Sequence, residues 1–301
     1  MNKLNISVII LTYNEEIHIK RCIESINLLV KDVYIVDSYS NDRTLEIAKE
    51  LGVKIYQNHW EKSYSKQFNW ALKNLPINTA WILRLDADEY LTSNLVNELK
   101  EKIPFVSSDV SGIVFPLKRF FLNREIKRSA GGSVKLLRLF RRGKGICEER
   151  WMDEHIQLTD GKTIEFIYPF ADHNLNLLSW WTDKHNGYSI REAIDLLDIE
   201  LGILGNQASN VDLNFQAAEK RKKKFFYVRQ PLFLRSFAYF LYRYFFKLGF
   251  LEGKEGFLWH FLQGWWYRTL VDAKIFEIKQ ACGNDPVKIK DYILSNYQIR
   301  L

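Results

Sequence analysis

WILRLDADE, residues 81–89, is the stretch that decides the fold. Its first five residues are mostly large and apolar, as in a strand buried on both faces, and two carboxylates follow directly. In an extended chain, residues i and i+2 point to the same side, so we expect Asp86 and Asp88 to face one site. Two carboxylates at the end of a buried strand suit Mg²⁺ or Mn²⁺ with a bound diphosphate. The alternative for a bare Asp-x-Asp pair is a solvated acidic turn.

Three more short apolar runs precede this stretch and alternate with segments of helical spacing. The predicted strands are Ile6–Leu11, Val33–Val36, Val53–Tyr56 and Ala80–Leu85. The predicted helices are a segment with apolar residues at 19, 22, 23 and 26, then Asn41–Leu51 and Ser63–Leu75. Continuous apolar strands that alternate with amphipathic helices predict an α/β fold, a mostly parallel sheet with helices on both faces.

The pattern changes in the second half of the chain. Gly112–Leu117 and Val134–Phe140 resemble longer antiparallel strands, and after Pro169 the sequence is mostly helical. We therefore expect three parts, residues 1–110, 111–215 and 216–301, with the last part forming a helical C-terminal extension of the α/β domain.

Composition excludes several classes of protein. Of 301 residues, 47% are hydrophobic and 26% charged, as in a globular protein and unlike a disordered one. No apolar stretch approaches the roughly 20 residues of a membrane-spanning helix. Cys22, Cys147 and Cys282 are far apart and include no Cys-x-x-Cys pair, which argues against a disulfide framework or a structural zinc site. The first apolar run is too short for a signal peptide, so we expect a cytoplasmic protein.

A second acidic residue, Asp37, ends the predicted strand 33–36 and begins a Ser/Asn/Asp-rich turn. A carboxylate there can accept hydrogen bonds from a uracil ring or a ribose, while the following helix N-terminus supplies donors. The alternative is an ordinary helix cap. Neither G-x-G-x-x-G nor G-x-x-x-x-G-K-[ST] occurs after the first strand, which disfavours dinucleotide binding and P-loop chemistry.

Taken in order, four motifs carry a resemblance to a known family: SVIILTYNEE (7–16), VDSYSNDRT (36–44), SKQFNWAL (65–72) and LRLDADEY (83–90). Together they resemble the nucleotide-sugar half of family-2 glycosyltransferases, which have the GT-A fold, a Rossmann-like mixed sheet. Three later blocks resemble the bacterial branch that includes the lipopolysaccharide-core β-1,4-glucosyltransferases: GGSVKLLRLF (131–140), ERWMDEHI (149–156) and GFLEGKEGFLWHFLQGWW (249–266). The resemblance implies that residues 1–110 bind the nucleotide-sugar and that residues 111–215 bind the acceptor and supply the catalytic base.

The resemblance also implies a role for individual residues. It implies nucleotide binding for Thr12, Tyr13, Glu15, Asp37, Lys66 and Asp86. It implies a divalent metal, Mn²⁺ or Mg²⁺, held by Asp88 with Asp86 and His173, although a structural role for His173 is equally open. Glu154 or Asp153 would be the catalytic base, with Glu154 favoured. Apart from the resemblance, Gly131 and Gly132 can let the backbone approach the donor sugar or can simply form a turn. Trp151 can stack on a sugar face or be a core residue. Many relatives carry two acids where this chain has Asp37-Ser38, so recognition of the base would depend on Asp37 alone.

The basic-aromatic segment, residues 220–247, stands apart from the rest of the sequence. It contains nine of the 43 basic residues, eleven aromatic residues and none of the 36 acids. Such a segment can lie in the headgroup zone of an anionic membrane. The alternative is a core helix with inward aromatics. Nucleic-acid binding would leave the acidic strand-end site unexplained, so no nucleic-acid partner is expected.

These features favour an inverting, metal-dependent glycosyltransferase. It would transfer a hexose or N-acetylhexosamine from a UDP-sugar to a lipid-linked or lipopolysaccharide-core glycan, peripherally on the inner face of the plasma membrane. Two alternatives stay open. A sugar nucleotidyltransferase should have a Gly-rich, Arg-containing loop after the first strand, whereas this chain has TYNEE. A catalytically inactive membrane scaffold should lack Asp88 or the 153–154 pair, and both are present.

Overall fold

A computed structural model describes residues 3–61, 63–128, 134–148, 154–204 and 224–301. The chain forms two compact units, one of residues 1–127 and 131–176 and one of residues 128–130 and 177–301. The first unit is built on a mixed sheet and the second is helical.

The first unit alternates strands and helices up to residue 102 and then consists mostly of strands. Its elements are β1 (Leu4–Thr12), α1 (Ile19–Ile26), β2 (Val30–Asp37), α2 (Thr44–Glu50), β3 (Lys54–Gln57), α3 (Tyr64–Asn74), β4 (Trp81–Asp86), β5 (Glu89–Leu91) and α4 (Ser93–Lys102). A 3₁₀ turn (Ile103–Phe105) leads to β6 (Val110–Phe121), β7 (Arg124–Ile126), β8 (Lys135–Arg141), β9 (Gly145–Cys147), β10 (Ile156–Leu158), β11 (Lys162–Glu165) and β12 (Phe170–His173).

The main sheet has the strand order β3-β2-β1-β4-β8-β6-β12-β5, with β11 and β7 also paired to β6. β1, β2, β3 and β4 are parallel to one another, whereas β8 runs antiparallel to both β4 and β6. The prediction of a mixed, mostly parallel sheet is therefore confirmed, and the change near residue 111 marks the entry of the antiparallel strands. A separate ribbon is formed by β9 and β10.

Alternate residues of β1 show that both faces of the sheet are covered. Val8 and Ile10 pack in a cluster with the apolar side of α1, including Ile23. Ile9 points the other way and packs with Phe68 of α3. Every one of these side chains is fully buried. Because successive side chains of a strand point to opposite faces, a strand covered on both sides carries a continuous apolar run, as β1 does from Val8 to Leu11.

The second unit is helical, as predicted for the C-terminal extension. Its helices are α5 (Leu178–Leu201), a short helix at 224–228, α6 (Leu234–Leu241), α7 (Gly253–Trp259), α8 (Tyr267–Cys282) and α9 (Pro286–Tyr297). Two π-helical segments, Tyr242–Phe246 and His260–Trp266, and a 3₁₀ turn, Gly249–Glu252, join them. Among the described residues, every helix is too short or too polar to span a lipid bilayer.

Polar pairs hold the interior of this helical unit together. The guanidinium of Arg235 on α6 bonds the carboxylate of Asp272 on α8, with Nη2 to Oδ1 at 2.6 Å and both side chains almost fully buried. The hydroxyl of Tyr267 donates to Glu192 of α5 over 2.7 Å. Buried charges are tolerated here because each has an oppositely charged or hydrogen-bonding partner.

Candidate active site at the carboxyl ends of the parallel strands

Three parallel strands end at the same edge of the sheet and bring polar side chains together. Thr12 at the end of β1 is in register with Asp37 at the end of β2. On the other side of β1, Leu11 is in register with Asp86 at the end of β4. Ligands of open α/β sheets bind outside the carboxyl ends of the strands, so this edge is the first place to look for a site.

Asp37 organises the loops at this edge. Its side chain is fully buried, Oδ2 accepts from the Thr12 hydroxyl at 2.9 Å, and Oδ1 accepts from the Ser40 backbone N–H at 2.9 Å. The Ser40 hydroxyl is also bonded to Oδ2. A buried carboxylate needs such donors to be stable, and here it fixes the turn after β2 against the end of β1.

The loops after β1 and β2 are hydrogen-bonded to each other over several residues. The Asn14 N–H donates to the Ser40 hydroxyl at 2.8 Å, and the Asn41 N–H donates to the Asn14 side-chain oxygen at 2.9 Å. The Glu15 N–H donates to the Thr44 hydroxyl at 2.7 Å. Tyr13 projects from this paired structure with 58% of its surface exposed. The loops are therefore held rigid, while an aromatic side chain is left open to solvent.

The predicted nucleotide residue Glu15 has a structural partner. Its Oε2 lies 2.6 Å from Nδ1 of the fully buried His18, whose Nε2 accepts the Leu175 N–H at 2.8 Å. Because Nε2 accepts, the proton of the neutral ring is on Nδ1 and is donated to Glu15. The chain Glu15–His18–Leu175 fastens the segment after β12 to the loop after β1.

The two aspartates of the DADE sequence, Asp86 and Asp88, do not lie in an extended segment, contrary to the expectation from their spacing. β4 ends at Asp86, Ala87 and Asp88 form a turn, and β5 begins at Glu89. The Asp86 N–H donates to Oε2 of Glu89 at 2.9 Å and closes this turn. As a result, Asp86 and Asp88 have different partners, although they remain at the same edge of the sheet.

The side chain of Asp86 is bound by a network of mostly buried charged groups, which the sequence did not predict. Oδ1 accepts from the Tyr64 hydroxyl at 2.5 Å, and Oδ2 lies 3.3 Å from Nη2 of Arg138. The same Arg138 nitrogen is bonded to Glu89, with 7% of the Arg138 side chain and 5% of the Glu89 side chain exposed. Arg84 donates from Nε to the Tyr64 oxygen at 3.0 Å. Both oxygens of Asp86 are therefore engaged by groups of the protein.

Burial raises the pKa values of two groups in this network, Tyr64 and Glu89. Desolvation raises the pKa of Tyr64 well above its ordinary value, so its hydroxyl keeps the proton that it donates to Asp86. Burial likewise raises the pKa of Glu89, and the Arg138 guanidinium opposes that shift. One signal of this network was present in the sequence, since Arg84 and Arg138 are charged residues inside otherwise apolar strands.

Asp88 lies beside the end of β12. Its Oδ2 accepts from the Asn174 side-chain amide at 3.0 Å, and its backbone oxygen accepts from the His173 N–H at 3.1 Å and from Arg21 at 3.2 Å. The structure therefore brings two predicted metal ligands, Asp88 and His173, to neighbouring strands.

The His173 ring is itself held in place. It stacks on Phe120, and its Nε2 lies 2.8 Å from the Asn123 side-chain oxygen. Burial lowers its pKa, which favours the neutral form that can bind a metal. Across the ranges that the structure describes, no group of three or more His, Cys, Asp or Glu side chains converges as a complete set of metal ligands.

The remaining predicted residues are placed as follows. The backbone oxygen of Glu154 accepts from Arg84 Nη1 at 3.4 Å, so Glu154 lies next to the network under Asp86. Lys66 is in the first turn of α3, where its Nζ lies 3.4 Å from Glu61 and its side chain is 52% exposed. Asp153, Gly131, Gly132 and Trp151 lie outside the described residues.

Two cations of the basic-aromatic segment face inward, which the absence of acids within the segment did not predict. Lys224 pairs with Asp195 and Arg235 with Asp272, so the acidic partners come from other helices of the same unit. By contrast, many apolar side chains between residues 225 and 257 are at least 40% exposed: Phe225, Phe226, Phe233, Leu234, Phe237, Tyr242, Phe245, Phe246, Leu248, Phe250, Leu251 and Phe257. Residues 224–257 thus have a paired, buried side and an exposed aromatic side.

Part of the sequence is similar to known glycosyltransferases. Residues 7–144 match the model of glycosyl transferase family 2. An uncharacterized glycosyltransferase of Rickettsia felis is 41% identical over 95 residues, which are 32% of each chain. The lipopolysaccharide core biosynthesis glycosyltransferase LpsC of Rhizobium meliloti is 28% identical over 148 residues, 48% of this chain and 53% of LpsC. The chain thus spans about a third of the length of the Rickettsia relative that it matches.

The fold is also found among solved structures. The mannosyltransferase PcManGT of Pyrobaculum calidifontis, in complex with GDP-Man and Mn²⁺, matches with a TM-score of 0.51 and 14% identity. The match covers 92% of this chain and 88% of PcManGT. At this identity the likeness concerns the fold, and it confirms the predicted GT-A architecture.

Proposed function

We propose, from the match of residues 7–144 to the model of glycosyl transferase family 2, that the protein transfers a hexose or N-acetylhexosamine from a UDP-sugar to a glycan acceptor with inversion at C1. The observation that carries the proposal is the convergence of Asp37, Asp86 and Asp88 at one edge of a parallel sheet. The similarity to LpsC supports a lipopolysaccharide-core or other lipid-linked glycan as the acceptor.

The donor would lie across the strand ends with its uracil at β2 and its diphosphate at β4. Thr12, Tyr13 and Glu15 border the nucleoside on the β1 side. Asp37 is the residue that would accept the uracil N–H, in exchange for the Ser40 hydroxyl that it now binds. On the β4 side, Asp86 is oriented by Arg138 and Tyr64, which suits it to accept hydrogen bonds from the ribose hydroxyls.

A divalent metal fits the residues beside the diphosphate position in part. Asp88 would supply a hard oxygen ligand, and His173 would supply a nitrogen from the end of β12. Asp86 fits less well, because Tyr64 and Arg138 already engage both of its oxygens. Mg²⁺ or Mn²⁺ would take its remaining ligands from phosphate oxygens and water. When bound, the ion supplies positive charge that stabilises the departing diphosphate.

The chemical step requires one carboxylate base on the face opposite the leaving group. The acceptor oxygen forms a bond to C1 as the bond from C1 to the diphosphate oxygen breaks, and the electron pair leaves with UDP. The acceptor proton moves to the base, for which Glu154 is our candidate and Asp153 the alternative. Contact between the Glu154 backbone and Arg84 supports this assignment, because Arg84 also contacts Tyr64, the partner of Asp86.

Calorimetric titration with UDP-, GDP-, CMP- and dTDP-sugars, each with and without Mn²⁺, tests the proposal. We expect metal-dependent binding of a UDP-sugar, and abolished binding and transfer in Asp88→Asn. Asp109→Asn is the matched control, since Asp109 is a 55% exposed carboxylate of the same unit, paired with Lys162. Binding of another nucleotide would overturn the role given to Asp37. A folded protein that binds none of the four would favour the inactive scaffold instead, and pyrophosphate release from a nucleoside triphosphate and a sugar phosphate would favour a nucleotidyltransferase.

We further propose that the exposed aromatic side of the helical unit contacts an anionic membrane surface. The large exposed side chains include Phe226 at 70% and Phe246 at 78%, and the cations Arg229, Lys247 and Lys254 are exposed among them. Aromatic rings suit the headgroup zone, and cations suit anionic lipid. This location would bring the enzyme to a lipid-linked acceptor on the inner face of the plasma membrane.

Co-sedimentation with phosphatidylglycerol vesicles, compared with phosphatidylcholine vesicles, tests the membrane contact. The double variant Phe226→Ser, Phe246→Ser should lose most of its binding to phosphatidylglycerol. Phe105→Ser removes an equally exposed ring, 86% accessible, from the other unit and should bind as the wild type does. Equal binding by the double variant and the wild type would contradict the proposed contact.

A further inference from the structure

Tyr39 has a backbone conformation that its side chain does not favour. Its φ is +63°, in the left-handed region, where a bulky residue is strained and glycine is not. Burial does not compensate for the strain, because 47% of the Tyr39 surface is exposed. A tyrosine kept in such a conformation at the edge of a candidate site points to a role for its ring.

The Tyr39 ring is stacked on His59, with ring centroids 4.4 Å apart and an angle of 27° between the planes. Tyr39 follows β2 and His59 follows β3, and both side chains are exposed. The chain segments that carry the two rings are hydrogen-bonded to each other, because the Asn58 N–H donates to the backbone oxygen of Asp37 at 3.0 Å. Gln67 adds a second link by donating to the Ser38 hydroxyl at 3.2 Å and to the Asn58 oxygen at 3.1 Å. The two rings are therefore exposed to solvent, while the backbone that carries them is held in place by hydrogen bonds.

The Tyr39–His59 pair lies at the distance from Asp88 at which the base of a bound nucleotide is expected. Tyr39 lies two residues from Asp37, on the β2–β3 side, whereas Asp88 follows β4. Since β1 separates β2 from β4, the two positions are about two strand spacings, or ~10 Å, apart. A nucleoside diphosphate spans about that distance from its base to its phosphates, so a ligand with phosphates at Asp88 would place its base beside Tyr39.

We propose that Tyr39, backed by His59, is a stacking platform for the base of the donor nucleotide. The inference rests on the proposed function and adds to it a residue that binds the face of the base, while Asp37 and Thr12 recognise its edge. Stacking on an aromatic ring gives affinity to any base, because every base has a π face. Hydrogen bonds to the edge then select among bases.

The test compares the wild type with Tyr39→Gly and Tyr39→Phe by calorimetry and thermal unfolding. Tyr39→Gly should raise the melting temperature by relieving the strained φ, while the Kd for UDP weakens by roughly tenfold, the size expected for one base–aromatic stack. Its affinity for inorganic pyrophosphate should not change, since pyrophosphate has no base. Tyr39→Phe should bind UDP as the wild type does.

Gln298→Gly is the control for strain relief, because Gln298 also has a positive φ, +54°, and lies in the helical unit. It should raise the melting temperature without any change in UDP binding. Equal UDP binding by Tyr39→Gly and the wild type, in folded protein, would overturn the platform. A wild type that binds no nucleotide at all would instead overturn the proposed function, so the two failures are distinct.

Discussion

The hydroxyl of Tyr64, at the start of α3, donates a hydrogen bond to Oδ1 of Asp86, at the end of β4, over 2.5 Å. The same hydroxyl accepts from Arg84, so one buried oxygen connects a helix, a strand and the candidate ribose ligand. Because Tyr64 stays protonated, Asp86 has a permanent donor that fixes the direction of its carboxylate.

Tyr64→Phe tests this relationship with little change in packing. The ring would still pack on Phe68 and Arg84, while Asp86 and Arg84 would each lose a partner. A hydrogen bond to a charged group is worth about 1.5–3 kcal/mol, so donor affinity or kcat/KM should fall by roughly tenfold or more. Calorimetry with the UDP-sugar identified in the panel and steady-state kinetics measure the two effects. Unchanged values for both would show that Tyr64 does not position Asp86.

Removing Arg138 should destabilise the protein strongly. Arg138→Leu leaves Glu89 buried without its cation, and breaking a buried pair in this way costs about 3–5 kcal/mol. The double variant Glu89→Leu, Arg138→Leu should recover part of that loss, because no isolated charge remains. Donor binding should stay weak in the double variant, since Asp86 still lacks Arg138.

The wild type, Arg138→Leu, Glu89→Leu and the double variant form a double-mutant cycle. Urea unfolding of these four proteins measures the contribution of Arg138 to stability, and titration with the donor measures its contribution to donor binding. Equal stability of Arg138→Leu and the wild type would contradict the burial argument. Recovery of full donor affinity in the double variant would contradict a positioning role for Arg138.

The helical unit should lose stability as the pH falls, through His185. Burial lowers the pKa of His185 to about 4 in the folded protein, where it stacks on Trp181 and bonds the Trp181 backbone oxygen at 2.8 Å. The unfolded chain has the ordinary pKa of about 6.5 and so binds more protons below pH 6.5. The contribution of the neutral ring is therefore present above pH 6.5 and is lost progressively toward pH 4.

At pH 5, this linkage amounts to about 2 kcal/mol. Urea unfolding at pH 7 and pH 5 should show a drop in stability that is smaller by that amount in His185→Phe than in the wild type. An identical drop in both proteins would show that His185 is not the titrating group.

Removing the carboxylate charge should lower the free energy of unfolding much more in a buried ion pair than in an exposed one. Asp272→Asn leaves the guanidinium of Arg235 buried without a counter-charge and should cost about 3–5 kcal/mol in the free energy of unfolding. Glu46→Gln removes the partner of Arg43 from a fully exposed pair, which should leave the free energy of unfolding close to that of the wild type because solvent screens such pairs. Denaturant titration of both variants gives the comparison. Similar losses in the two variants would contradict the difference in burial that underlies it.

Much of the first unit could be predicted from local sequence. β1 and β4 are mostly apolar, and α1 has apolar residues at helical spacing, so their types and approximate bounds follow from periodicity. The direction of β1 to β4 also follows, because the helices between these strands supply the crossover connections that parallel strands need. This is why Asp37 and Asp86 could be placed at one edge before their contacts were known.

Spacing within the DADE sequence was a poorer guide. The i, i+2 argument assumes an extended chain, and the chain turns after Asp86 because Glu89 binds the Asp86 N–H and pairs with Arg138. That turn depends on a residue 49 positions further along. A local pattern has no access to such a partner.

The sequence by itself determined the alternation of strands and helices, the acidic strand ends and the basic-aromatic segment, because each depends on residues near one another in the chain. Only the tertiary structure decided which carboxylates have hydrogen-bonding or charged partners and that Tyr39 stacks on His59. It alone decided that Arg235 of the basic-aromatic segment pairs with Asp272 of α8. The physical reason is that burial and pairing arise between elements far apart in sequence. Their energies are set by desolvation and contact geometry, and those exist only once the chain has folded.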